Sequence, residues 1–82
     1  MNDVSVGNVW HEDIVQLKQA NATMRLANQA LASRDRAILY ALGFSHAHIR
    51  ELEIKGGFRP STIGQNTRLI NLLQKKGLAN AD

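Results

Sequence analysis

From Val9 to Ala32 the chain contains neither glycine nor proline, and alanine recurs from Ala20 onward. A stretch this long without a breaker predicts one helix, because glycine and proline are the residues that cost most in a helix interior. Upstream, MNDVSVGN is polar and punctuated by Gly7, which predicts a flexible arm over 1–8 with Asn8 placed as a cap. Glu12 and Asp13 sit in the first turns, where the helix dipole favours negative charge. A heptad laid on this helix puts Trp10, Leu17, Met24 and Leu31 at d, and Ile14, Asn21, Asn28 and Asp35 at a. Asparagine at a is a known device for setting register in a parallel two-stranded coiled coil. In that register Asp13 at g faces Lys18 at e of a second copy. The segment 9–32 is therefore expected to dimerise through Trp10, Ile14, Leu17, Asn21, Met24, Asn28 and Leu31. Polar residues at three of the four a positions make this a weak coiled coil. Leu26 at f points outward, and the two asparagines also fit an ordinary exposed face.

The next joint is Ser33-Arg34-Asp35-Arg36, with Ser33 read as the cap of a new helix. One unbroken helix to Leu42 is the alternative. Ala37, Ile38, Ala41 and Leu42 form an apolar stripe, Gly43 stops the helix, and Phe44 folds back as a core anchor. Ser45 caps the following helix, which has Ile49 and Leu52 as its apolar pair. Gly56 and Gly57 end it, since glycine accepts the left-handed conformation at a helix C-terminus. Pro60 biases Arg59 away from helix. Ser61 is read as the next cap, with a last helix running to a stop at Gly77 and a frayed tail over 79–82.

At about 100° per residue, Ile63, Asn66, Leu69, Ile70, Leu72 and Leu73 share one broad side of that last helix. Gln65, Arg68, Asn71 and Lys75 fall on or near the other. These are the side-chain types that read base edges and phosphates. The acids lie outside Ile54 to Ala81, whereas Lys55, Arg59, Arg68, Lys75 and Lys76 lie within it. This pattern resembles the helix-turn-helix DNA-binding superfamily, especially the three-helix core of winged-helix regulators. The resemblance rests on Ser61-Thr62-Ile63 at the start of the last helix and Leu73-Gln74-Lys75-Lys76-Gly77-Leu78 at its end. It covers about half of the chain. The turn from Gly56 to Pro60 is longer than the compact turn of the motif, and no wing is expected, since the sequence ends at Asp82.

One proline and frequent Ala, Leu, Gln and Arg predict an all-α fold that opens with the long dimerisation helix, and the resemblance makes residues 33–78 a helix-turn-helix core. It implies a small homodimeric, sequence-specific transcription regulator of phage or plasmid type, binding an inverted repeat in double-stranded DNA. Gln65, Arg68 and Asn71 would touch base edges, while Arg59, Ser61, Thr62, Lys75 and Lys76 would hold phosphates. The alternative is a small helical inhibitor or adaptor that sequesters another protein through Trp10, Leu26 and Tyr40.

Eighty-two residues with a net charge of +3 suit one small domain with an anionic partner. The absence of cysteine removes disulfides and thiolate metal sites and fits a cytoplasmic protein. Neither a membrane span nor a signal peptide is expected. His46 and His48, two apart on a helix, point about 200° from each other, so they cannot chelate one metal ion. Glu51 and Glu53 fail as an acid/base pair for the same reason. With no nucleophile elbow or phosphate loop, an enzyme is not expected, nor is any cofactor.

Overall fold

A computed structural model describes the backbone of residues 10–81 and the side chains of residues 10–76. The expected arm over 1–8 and its cap Asn8 lie outside the described residues. The fold is all-α: among the described residues there are four helices and no strand. They are α1 (His11–Ser33), α2 (Arg36–Ala41), α3 (His46–Lys55) and α4 (Pro60–Ala81).

The joint after α1 falls one to two residues later than Ser33. Arg34 takes the left-handed conformation, with φ 59°. Its N–H bonds Leu31 O at 3.2 Å, and the Asp35 N–H bonds Ala30 O at 2.8 Å. These two bonds close the last turn as a Schellman motif, which satisfies carbonyls that the helix end would leave open. Ser33 is thus inside α1, its hydroxyl donating to Gln29 O and Ala30 O. Asp35 is the cap of α2, accepting from Ile38 N. The α2 face also differs from the expected stripe. Leu39 is buried, Leu42 is half-buried, and Ala37, Ile38 and Ala41 are exposed.

Ser45 caps α3 as expected, accepting from His48 N at 3.2 Å. Ile49 and Leu52 are the buried residues of that helix. Gly56 ends it at φ 83°, its N–H bonding Leu52 O. α4 begins at Pro60 rather than after Ser61. Proline suits the first helical position, where its fixed φ is helical and its missing N–H would have lacked an intrahelical partner anyway. The Arg59 carbonyl accepts from Thr62 N at 3.1 Å. α4 also runs past the expected stop at Gly77 to Ala81; a glycine weakens a helix interior by only about 1 kcal/mol.

The core is a cluster of Ala27, Ala30, Leu39 and Ile49, with Leu31, Leu42, Phe44 and Phe58 packed against it. Phe44 stands edge-on to the His48 ring at 5.1 Å and tilted to Phe58 at 6.0 Å. The dominant interface of α4 is with α1, so the main support of the last helix lies outside the expected 33–78 core. The chain is therefore a long α1–α4 hairpin with α2 and α3 closing one end, 47 × 24 × 17 Å overall.

This arrangement engages part of the α1 stripe within the chain. Asn21, Met24, Asn28 and Leu31, read as a seam between two copies, are used inside the chain. Asn21 and Met24 are buried, and Asn28 and Leu31 are half-buried. The reason is that α4 folds back along α1 at Asn21, the turn before α4 meets Asn28, and Leu31 packs on the closed-end core.

Candidate nucleic-acid interface

Two asparagines one heptad apart on α1 set where α4 lies. Asn28 clamps the turn before α4 at two points. Its Nδ2 donates to Phe58 O at 3.0 Å, and its Oδ1 accepts from Phe58 N at 2.7 Å. Gly57, at φ 100°, lets this happen, for a Cβ there would stand 2.5 Å from Asn28 Oδ1. Two turns earlier, Asn21 is 3% exposed. Its Nδ2 donates to Thr67 Oγ1 at 3.2 Å and to Ile63 O at 3.4 Å. Thr67 Oγ1 in turn donates to Ile63 O.

With α4 held this way, a polar groove of about 330 Å³ opens along one side of the α1–α4 seam. Lys18, Asn21 and Arg25 line it from α1, and Thr67, Ile70, Asn71 and Gln74 from α4. Lys18 and Arg25 are seven residues apart, so they stand on one face of α1, about two turns from each other. The lining holds two cations and two exposed carboxamides and no carboxylate. Both cations are outside the ion pairs formed among the described residues, which are Arg36–Glu53 and Lys55–Glu51. Asn21 Oδ1 faces no hydrogen-bond partner.

All eight residues expected to bind DNA are exposed: Arg59, Ser61, Thr62, Gln65, Arg68, Asn71, Lys75 and Lys76. They do not form one surface. At about 100° per residue, Arg68 and Lys75 fall on the same side of α4 as Asn71, next to the polar groove. Gln65 and Lys76 fall across the helix, beside Leu69 and Leu72. Arg59, Ser61 and Thr62 lie at the start of α4. The sequence reading missed Lys18 and Arg25 as members of the polar face. Their spacing was the available signal, but it acquires meaning only once α4 is known to lie alongside α1.

The residues of the alternative protein-binding surface are scattered too. Trp10 lies at the start of the hairpin, and Leu26 is about 24 Å of helix further along α1. Tyr40 bonds His46 Nδ1 through its hydroxyl at 2.9 Å. Glu53 meets Arg36 in a two-point pair at 2.9 and 2.8 Å, joining α3 to α2. Hydrogen bonding to Arg36 holds the Glu53 carboxyl below the usual carboxylate range. The same cause, with Lys55 as donor, lowers Glu51. A hollow of about 640 Å³ is bordered by this Arg36–Glu53 pair together with Leu31 and Leu52. No helix of the described residues is long and apolar enough to cross a membrane. Comparison with protein-family models, with curated proteins and with solved structures gave no match.

Proposed function

We propose that the chain binds double-stranded DNA along the polar side of the α1–α4 hairpin. The observation that carries this reading is the acid-free groove in which Lys18 and Arg25 of α1 stand opposite Asn71 and Gln74 of α4. Duplex DNA offers two lines of phosphate flanking a groove of base edges. A helix bearing arginine and carboxamides, flanked by cations on a second helix, matches that order of groups. Arg68 and Asn71 are assigned to base edges, arginine for guanine and asparagine for adenine. Lys18, Arg25 and Lys75 are assigned to phosphates, with Arg59 and the exposed first turn of α4 as a further phosphate contact. A regulator of transcription is the role that fits such a small reader of DNA.

The test is a binding titration on a duplex at several salt concentrations. Each phosphate contact contributes about 0.9 to the slope of log affinity against log salt. The Lys18→Ala/Arg25→Ala pair should therefore lower the slope by about 2 on any sequence. Arg68→Ala should weaken a specific duplex by about 1–3 kcal/mol and a scrambled one much less. Lys76→Ala, across the helix, should leave the slope nearly unchanged. Absence of binding at low salt, or a slope indifferent to Lys18 and Arg25, would remove this reading and leave a protein partner in its place.

A further inference from the structure

A second groove, about 520 Å³, runs on the other side of the α1–α4 seam. Its walls are Trp10, Leu17 and Ala20 from α1 and Leu69 and Leu73 from α4, with Asp13 and Gln16 at the α1 edge. Leu69 is 42% exposed, and Leu72 beside it is 50% exposed. α2 and α3 pack at the opposite end of the hairpin, so among the described residues no third helix covers this groove. The elongation shows in the radius of gyration, 16.2 Å, where a compact chain of this length has about 12 Å.

We infer that a second copy of this chain covers the apolar groove, giving an antiparallel four-helix bundle about a two-fold axis parallel to the hairpin. The charges on the two walls select this occupant and this axis. Asp13 stands on the α1 wall, preceded by Glu12. Lys76 stands on α4 one turn past Leu73, at the same end of the hairpin. Asp13, Glu12 and Lys76 take no part in the ion pairs formed among the described residues. A two-fold axis along the helices sets each α1 wall opposite the α4 wall of the other copy at equal height. Asp13 of each copy then meets Lys76 of the other, twice, by symmetry. α1 and α4 are antiparallel within the chain, so each α1 is also antiparallel to the α4 it meets, as in up-down bundles. An axis across the hairpin would instead set α1 against α1 with ends reversed, leaving Asp13 without a lysine of α4. The partner leaves the Lys18–Arg25 groove open, because that groove lies across the seam.

Sedimentation equilibrium on the full chain without DNA tests the assembly independently of the DNA reading. A dimer is expected at tens of micromolar, and Leu69→Glu should raise its dissociation constant by at least about tenfold while the helical circular dichroism persists. Because the chain lacks cysteine, introduced thiols report geometry without interference. Asp13→Cys and Lys76→Cys, made in separate chains at exposed positions, should cross-link when the two chains are mixed and oxidised, and neither should cross-link alone. A monomer at that concentration, a dimer indifferent to Leu69→Glu, or cross-linking of Asp13→Cys chains to each other would overturn the inference.

Discussion

The two ends of the hairpin are built from similar residues and enclose very different amounts of core. At the closed end residues of α1, α2 and α3 meet around a cluster against which Phe58 of the turn before α4 packs, and Leu39 and Ile49 are fully buried, at 1% and 0% exposure. Ala27 and Ala30 contribute to this, because their small side chains let α2 approach the α1 backbone, with Ile49 of α3 in the same cluster. At the open end α1 and α4 face only each other. Trp10, Ile14 and Leu17 stay half-buried, and Leu69 is exposed. Both buried polar atoms without partners among the described residues, Trp10 Nε1 and Asn21 Oδ1, lie in this half. The difference is one of layers: two helices share a single strip of contact, whereas a third helix closes the gap and excludes water.

The largest expected effect comes from cutting into the closed end. Ile49→Ala should destabilise the chain by about 2–5 kcal/mol, the range for a large aliphatic side chain lost from a packed core. Leu17→Ala should cost about 1 kcal/mol in dilute solution, since a half-buried leucine withdraws roughly half of the 1.5–3 kcal/mol of full burial. Urea melts of both variants at low chain concentration measure the gap. Equal losses would mean that the open end is as well packed as the closed one.

The link between the ends is the Asn28 clamp, and its effect is intermediate. Asn28→Ala removes both bonds to Phe58 and should cost about 1–3 kcal/mol. Gly57→Ala should cost a similar amount, since it places a Cβ at positive φ against Asn28 Oδ1. The two changes should not add. Removing the Asn28 side chain also removes the atom with which the new Cβ collides, so the double variant should be more stable than the sum predicts. Strict additivity in a double-mutant cycle would show that the clash is relieved elsewhere.

Local features of this fold were legible from sequence, and long-range ones were not. The Ser45 cap, the Gly56 stop and the Ile49–Leu52 pair depend on neighbours within a turn or two, and each appears as expected. The α1 stripe was legible as a buried face. Its partner was not, because a heptad pattern states that a face is covered and says nothing about which helix covers it. Asn21 and Asn28 show this best: asparagine at a fits a bond across a dimer seam and also a clamp on the same chain's α4. The stripe Ala37, Ile38, Ala41 and Leu42 missed Leu39 for another reason, since six residues are too few to define a helical period. At the candidate interface, exposure of all eight expected residues was readable. Their division between a polar and an apolar side depends on where α1 lies.

The smallest effect tests whether the closed end owes its solidity to its core or to its surface. Arg36 and Glu53 join α2 to α3 there, at side-chain exposures of 54% and 33%. Such a pair sits in water and is screened by salt, so its contribution is small against that of Ile49. Its sign with pH is nevertheless fixed. The folded Glu53 carboxyl is held below its ordinary range by Arg36, so folding favours the ionised form. The stabilisation is complete above the ordinary carboxylate pKa of about 4.3 and fades as pH falls through the lower folded value. An NMR titration should place the Glu53 midpoint lower in the folded chain than in urea, and Arg36→Ala should remove most of that difference. At neutral pH the same substitution should barely move the melt. A large loss of stability from Arg36→Ala would mean that the ion pair, and not the Leu39–Ile49 core, holds α2 and α3 together.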